Sequence, residues 1–130
     1  MVYLDANCII YAIEGASPLR ETVLAKIAPG GRATKLMTSR LSRLECRVKP
    51  MKDGNADLMK DYDLFFTSTD LRITEITAAV IETATELRAK YGLRTPDALH
   101  LATAIVESAE VFLTGDKQLT RCKEIRVDLV

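Results

Sequence analysis

Apolar residues fall along this chain in two regimes, short unbroken runs and longer stretches where they recur every three to four positions. Val2-Tyr3-Leu4 and Val111-Phe112-Leu113 are runs of the first kind, as expected of parallel strands buried on both faces. Thr34 to Thr38, Leu71 to Ile76 and Ile125 to Val130 read as further strands. Helical spacing covers Asn7 to Glu14 with its stop at Gly15, and Ser17-Pro18 opens a second helix that ends at Pro29-Gly30-Gly31. Ser39 caps a third, running to about Val48 before Pro50. Met51 to Asp57 reads as a polar turn, overlapping the start of a helix over Ala56 to Phe66. Thr77 to Tyr91, stopped by Gly92, follows, and then the segment from Thr95, with threonine as cap and Pro96 at the first helical position. Strands alternating with helices predict an α/β fold around a parallel sheet.

A length of 130 residues suits one domain with a core of its own. Apolar residues make up 48% and charged residues 28%, which favours neither a disordered nor a membrane class. The formal net charge is zero, so contact with nucleic acid has to rest on a local basic patch or on a metal. Three cysteines, Cys8, Cys46 and Cys122, are widely spaced and His100 is the one histidine, a set that argues against zinc. The absence of a basic segment ahead of an apolar core, and of any run long enough to span a bilayer, leads us to expect a cytoplasmic protein with reduced thiols and no membrane partner.

Candidate chemistry lies in four acids. Asp5 stands at the carboxyl end of the first strand, where open α/β sheets bind ligands, and Asn7 follows at the start of the next helix. Asp116 closes Val111-Phe112-Leu113-Thr114-Gly115 in the same manner. Asp97 sits in the first turn after Thr95-Pro96, where an acid also complements the helix dipole. Glu45 falls roughly 60° from the centre of a stripe formed by Leu41, Leu44 and Val48, with Arg40, Arg43 and Arg47 opposite, as a solvated face or as a surface for RNA or antitoxin contact. An unpaired carboxylate near a core is costly, and four gathered acids repel, so a shared pocket implies a cation. Oxygen ligands favour Mg²⁺ or Mn²⁺. Leu58, Met59, Phe65 and Phe66 supply more apolar surface than a short peripheral helix needs, which predicts a homodimer contact. His100, beside Leu99 and Leu101, reads as a structural histidine.

Taken in order, Leu4-Asp5-Ala6-Asn7, Glu45, Thr95-Pro96-Asp97-Ala98-Leu99-His100-Leu101-Ala102-Thr103-Ala104 and Phe112-Leu113-Thr114-Gly115-Asp116 resemble the PIN-domain nucleases, in particular the VapC-type toxins of toxin–antitoxin pairs. The resemblance covers residues 1–130 as one domain. It implies a central parallel sheet flanked by helices in three layers, and a Mg²⁺- or Mn²⁺-dependent endoribonuclease. The acidic quartet would be Asp5, Glu45, Asp97 and Asp116, with the metal on Asp5, Asp97 and Asp116 and with Asn7 and Thr114 as polar neighbours. It also implies an RNA substrate, a cognate antitoxin and a homodimer. Ala6 stands where many relatives carry Thr or Ser, so one hydroxyl near the metal is missing. A stand-alone RNA-processing nuclease and an inactive metal-binding regulatory module are the alternatives.

Overall fold

The computed structural model describes residues 1–15, 18–31 and 34–130. Its centre is a five-stranded sheet of β1 (Val2–Leu4), β2 (Leu36–Ser39), β3 (Leu71–Thr74), β4 (Val111–Thr114) and β5 (Arg126–Leu129), in the order β3-β2-β1-β4-β5. Every pairing is parallel. Among the described residues six helices connect the strands: α1 (Ala6–Glu14), α2 (Leu19–Ile27), α3 (Arg40–Lys52), α4 (Ala56–Phe66), α5 (Ala78–Tyr91) and α6 (Thr95–Val106).

Successive side chains of a strand face opposite sides of its sheet, so each central strand serves two cores. Tyr3 and Phe112, paired in register across β1 and β4, stack at 5.1 Å between ring centroids and join Val80, Leu87 and Leu101 of α5 and α6. Leu4 and Leu113, one residue on, join Ile9, Val23, Cys46, Tyr62 and Phe66 from α1 to α4 on the other face. Helices on both faces make the expected three layers and account for strands that are apolar without alternation.

Several boundaries and faces differ from the sequence reading. The first helix is capped by Asp5, not opened at Asn7: the Asp5 carboxylate accepts from the Cys8 amide at 2.9 Å. Thr95 lies inside α6, whose cap is Arg94 with no side-chain hydrogen bond. The proposed capping role of Ser17 lies outside the described residues. α3 passes through Pro50 to Lys52 because Pro50 is so near the end that the amides of Asp53 and Asn55 close the last turn on the Lys49 and Pro50 carbonyls.

The buried face of α3 is also not the apolar one. Ser42, Cys46 and Pro50 point inward, while Leu44, Val48 and Met51 are exposed. Ser42 can be buried because its hydroxyl bonds to Thr38 Oγ1 at 2.7 Å, and Cys46 because its thiol reaches the Ala6 carbonyl of α1. On α4, Phe66 is buried, and Leu58 and Phe65 pack against the same core. These three serve the fold, while Met59, the fourth residue of the predicted dimer contact, is half-buried and lies outside that core, lining a surface concavity. Cys8, Cys46 and Cys122 are free and buried, and no helix among the described residues is long and apolar enough to cross a membrane.

Candidate active site

The register of the two central strands builds the site. Leu4 pairs with Leu113, and the Asp5 amide continues the ladder to the Leu113 carbonyl at 3.2 Å, so Asp5 and Thr114 emerge side by side at the carboxyl ends of β1 and β4. Thr114 Oγ1 donates to Asp5 Oδ2 at 2.5 Å, while Asp5 Oδ1 accepts from the Cys8 amide. Asp5 is only 6% exposed. Burial pushes its carboxyl above the ordinary range, against the lowering effect of the bonds from Thr114 and Cys8.

A cleft of about 180 Å³ opens beside Asp5. Asp5, Asn7, Glu45 and Asp97 line it, together with Arg94, Pro96, His100 and Leu119. Three of the four predicted acids are thus brought to one cleft from β1, α3 and α6. Asp97 Oδ2 accepts from Arg94 Nε at 3.2 Å, an exposed pair within the first turn of α6. Glu45 Oε1 lies 2.5 Å from His100 Nε2. Asn7 is exposed at the rim, while Thr114 is fully buried behind Asp5.

Asp116 does not line the cleft. It is tied to it through Thr114, whose Oγ1 accepts from the Asp116 amide at 3.0 Å, and its own carboxylate accepts from the Gln118 amide at the start of a short 3₁₀ turn, Lys117–Arg121. Gly115 makes the approach possible: a Cβ there would fall 2.9 Å from the Tyr11 ring. Glu124 holds the loop beyond the turn onto α5 by accepting from Lys90 and Tyr91, and the Lys90 ammonium helps hold its carboxyl down at about 2.

The arginines of α3 are not a free stripe. Arg40 forms an exposed ion pair with Glu75 at 2.6 Å, and Arg43 and Arg47, mostly buried, both approach Asp63 of α4 at 3.5 and 3.1 Å. Missed by the sequence reading is the place of His100, which lines the cleft and bonds to Glu45. Its position one turn after Asp97 was the available signal, outweighed there by its apolar neighbours.

The donor set suits a hard divalent cation, because buried Asp5 makes no salt bridge among the described residues and its neighbours in the cleft include two further carboxylates. The carboxylates do not already converge: among the described residues no three Asp, Glu, His or Cys side chains are arranged to hold one ion.

A parallel α/β domain with carboxylates gathered over the ends of its central strands is the class that this fold and cleft define. The family model for the PIN domain matches residues 2–125, and the chain belongs to that family. Its fold is similar to that of VapBC2 from Rickettsia felis, solved bound to a DNA fragment from its promoter, at TM-score 0.78 and 21% identity over 100% of this chain and 99% of that one. A toxin–antitoxin complex from Klebsiella pneumoniae is similar at TM-score 0.75 and 21% identity, over 96% and 95% of the two chains. VapC20 of Mycobacterium tuberculosis, described as a sarcin–ricin loop cleaving toxin, is similar at TM-score 0.74 and 17% identity, over 97% and 99%. A comparison with curated proteins by sequence gives no match.

Proposed function

We propose that the protein is a metal-dependent endoribonuclease and the toxin of a toxin–antitoxin pair. The observation that carries this is that Asp5, Glu45 and Asp97, from three separate elements of a PIN domain, line one cleft at the carboxyl edge of its sheet. Asp5 and Asp97, with Asp116 from the adjoining turn, would hold Mg²⁺ or Mn²⁺. Such an ion, when bound, lowers the pKa of a water and stabilises charge at a phosphodiester. The chain's own part is to fix the carboxylates: Thr114 and the Cys8 amide orient Asp5, and the first turn of α6 presents Asp97. Structurally similar proteins solved as toxin–antitoxin complexes support an antitoxin as partner. A homodimer belongs to the same reading.

The test is cleavage of total RNA by the purified protein with Mn²⁺ or with EDTA. Cleavage is expected only with the metal, and Asp97→Asn is expected to abolish it while leaving a cooperative melt. Cleavage that persists in EDTA, with Asp97→Asn as active as the parent, would overturn the metal mechanism.

A further inference from the structure

A hydrogen-bonded chain runs from the core to the wall of the cleft, and the metal chemistry proposed above makes no use of it. The Tyr3 hydroxyl lies 2.7 Å from His100 Nδ1, and His100 Nε2 lies 2.5 Å from Glu45 Oε1. Tyr3 is wholly buried and His100 is 3% exposed, whereas the Glu45 side chain keeps 30% of its surface in solvent. Three elements meet here: β1 supplies the tyrosine, α6 the imidazole and α3 the carboxylate.

The partners dictate where the protons lie. A phenol keeps its hydrogen at neutral pH, so the Tyr3 hydroxyl, 2.7 Å from Nδ1, acts as the donor. Nδ1 is its acceptor. A neutral imidazole that accepts at Nδ1 carries its hydrogen on Nε2. Two lone pairs could not face each other at the Nε2 to Oε1 distance, and the Nε2 hydrogen fills that gap. Tyr3 is itself held by its stack on Phe112, so the orientation of the imidazole is set from the core outward.

Glu45 needs such a hold. α3 turns Ser42 and Cys46 into the core and leaves Glu45 at the edge, where a long side chain has several rotamers to choose from. Its Oε2 accepts no hydrogen bond from the described residues. Resting on the nuclease reading, we propose that His100 is a positioning residue of the site: pinned by Tyr3, it donates from Nε2 to Glu45 Oε1 and holds that carboxylate on the cleft wall with Oε2 free for a ligand. Partners of this kind, one bond removed from a metal site, typically change affinity or activity by about 10–100-fold when replaced.

Because the chain has a single histidine, nitrogen NMR of the imidazole reads this arrangement directly. The expected spectrum shows Nδ1 as acceptor and the ring hydrogen on Nε2. Tyr3→Phe should move the Nδ1 signal, and Glu45→Gln the Nε2 signal. In RNA cleavage, His100→Asn, which keeps a polar atom only near Nδ1, should lower kcat about 10–100-fold with KM little changed. His100→Gln, which can place an amide N–H near Nε2, should restore most of the loss. A ring with hydrogen on Nδ1, an Nε2 signal indifferent to Glu45→Gln, or Asn and Gln variants of equal activity would each overturn the proposal. If the parent cleaves no RNA, the nuclease reading fails, and the two imidazole signals still decide whether His100 holds Glu45. Should His100→Asn fail to fold, the spectra of the parent, Tyr3→Phe and Glu45→Gln decide between the same outcomes.

Discussion

Asp5 is a buried carboxylate without a salt bridge among the described residues, which makes its two possible roles separable. Burial raises its folded pKa, so the native state binds the proton more tightly than the unfolded chain does. The sign follows: without metal, Asp5 costs no stability below the unfolded pKa of about 3.9, and the cost grows as pH climbs to the raised folded value, then stays constant. Asp5→Asn should therefore melt at or above the parent in EDTA at neutral pH, with the gap closing in acid. Metal bound only to the native state adds RT ln(1 + [L]/Kd), about 2.7 kcal/mol at a hundredfold excess over Kd. Thermal melts in Mn²⁺ should show that gain in the parent and much less of it in Asp5→Asn. A purely structural Asp5 gives the reverse, a lower melting temperature in EDTA and an unchanged metal response. Asp5, Asp97 and Asp116 were legible as acids at strand ends and in a helix's first turn. His100 was not, since its partner Glu45 is 55 positions away and only the tertiary fold brings an imidazole to a carboxylate.

At the scale of elements, the strands were the most legible part, because a strand buried on both faces must be apolar throughout and Val2-Tyr3-Leu4 and Val111-Phe112-Leu113 are. The helices α1, α4 and α5 were legible through their stops and spacing. α3 misleads for a physical reason: close packing on α1 and β2 favours small side chains, so Ser42 and Cys46 face inward while Leu44 and Val48 are left outside. Apolar periodicity then points to the wrong face. The consequence is a pair of substitutions whose ranking opposes the hydrophobic pattern. Ser42→Leu overfills a closed contact and removes the bond to Thr38, and should cost about 1–3 kcal/mol or more. Leu44→Ser removes a side chain that is 62% exposed and should stay within about 0.5 kcal/mol. Urea denaturation of the two variants measures both, and a Leu44→Ser loss larger than that of Ser42→Leu would mean that α3 is rotated from the face described here.

For the whole molecule, the apolar residues left outside by that packing bear on assembly. Leu44, Val48 and Met51 of α3 and Ile76 before α5 are exposed and line one concavity of about 600 Å³, and Met51 and the exposed Leu64 of α4 line a second of about 570 Å³. Of the four residues that sequence suggested for the homodimer, Leu58, Phe65 and Phe66 pack against the core and Met59 lines the second concavity, so the surface available is this outer apolar face of α3 and α4. A two-fold interface uses the same patch on both copies, so Leu44 and Val48 of one copy would meet the same face of its partner. Glutamates introduced there would face one another across the two-fold. Sedimentation of the parent at micromolar concentration is expected to show a dimer, and Leu44→Glu with Val48→Glu a monomer whose cleft residues are untouched. Since both positions are already in water in the single chain, the double variant should remain folded, and any stability that it loses should be that of association, visible as a melting temperature that no longer rises with protein concentration. A parent that sediments as a monomer, or a dimer that survives both substitutions, would remove this face from the assembly.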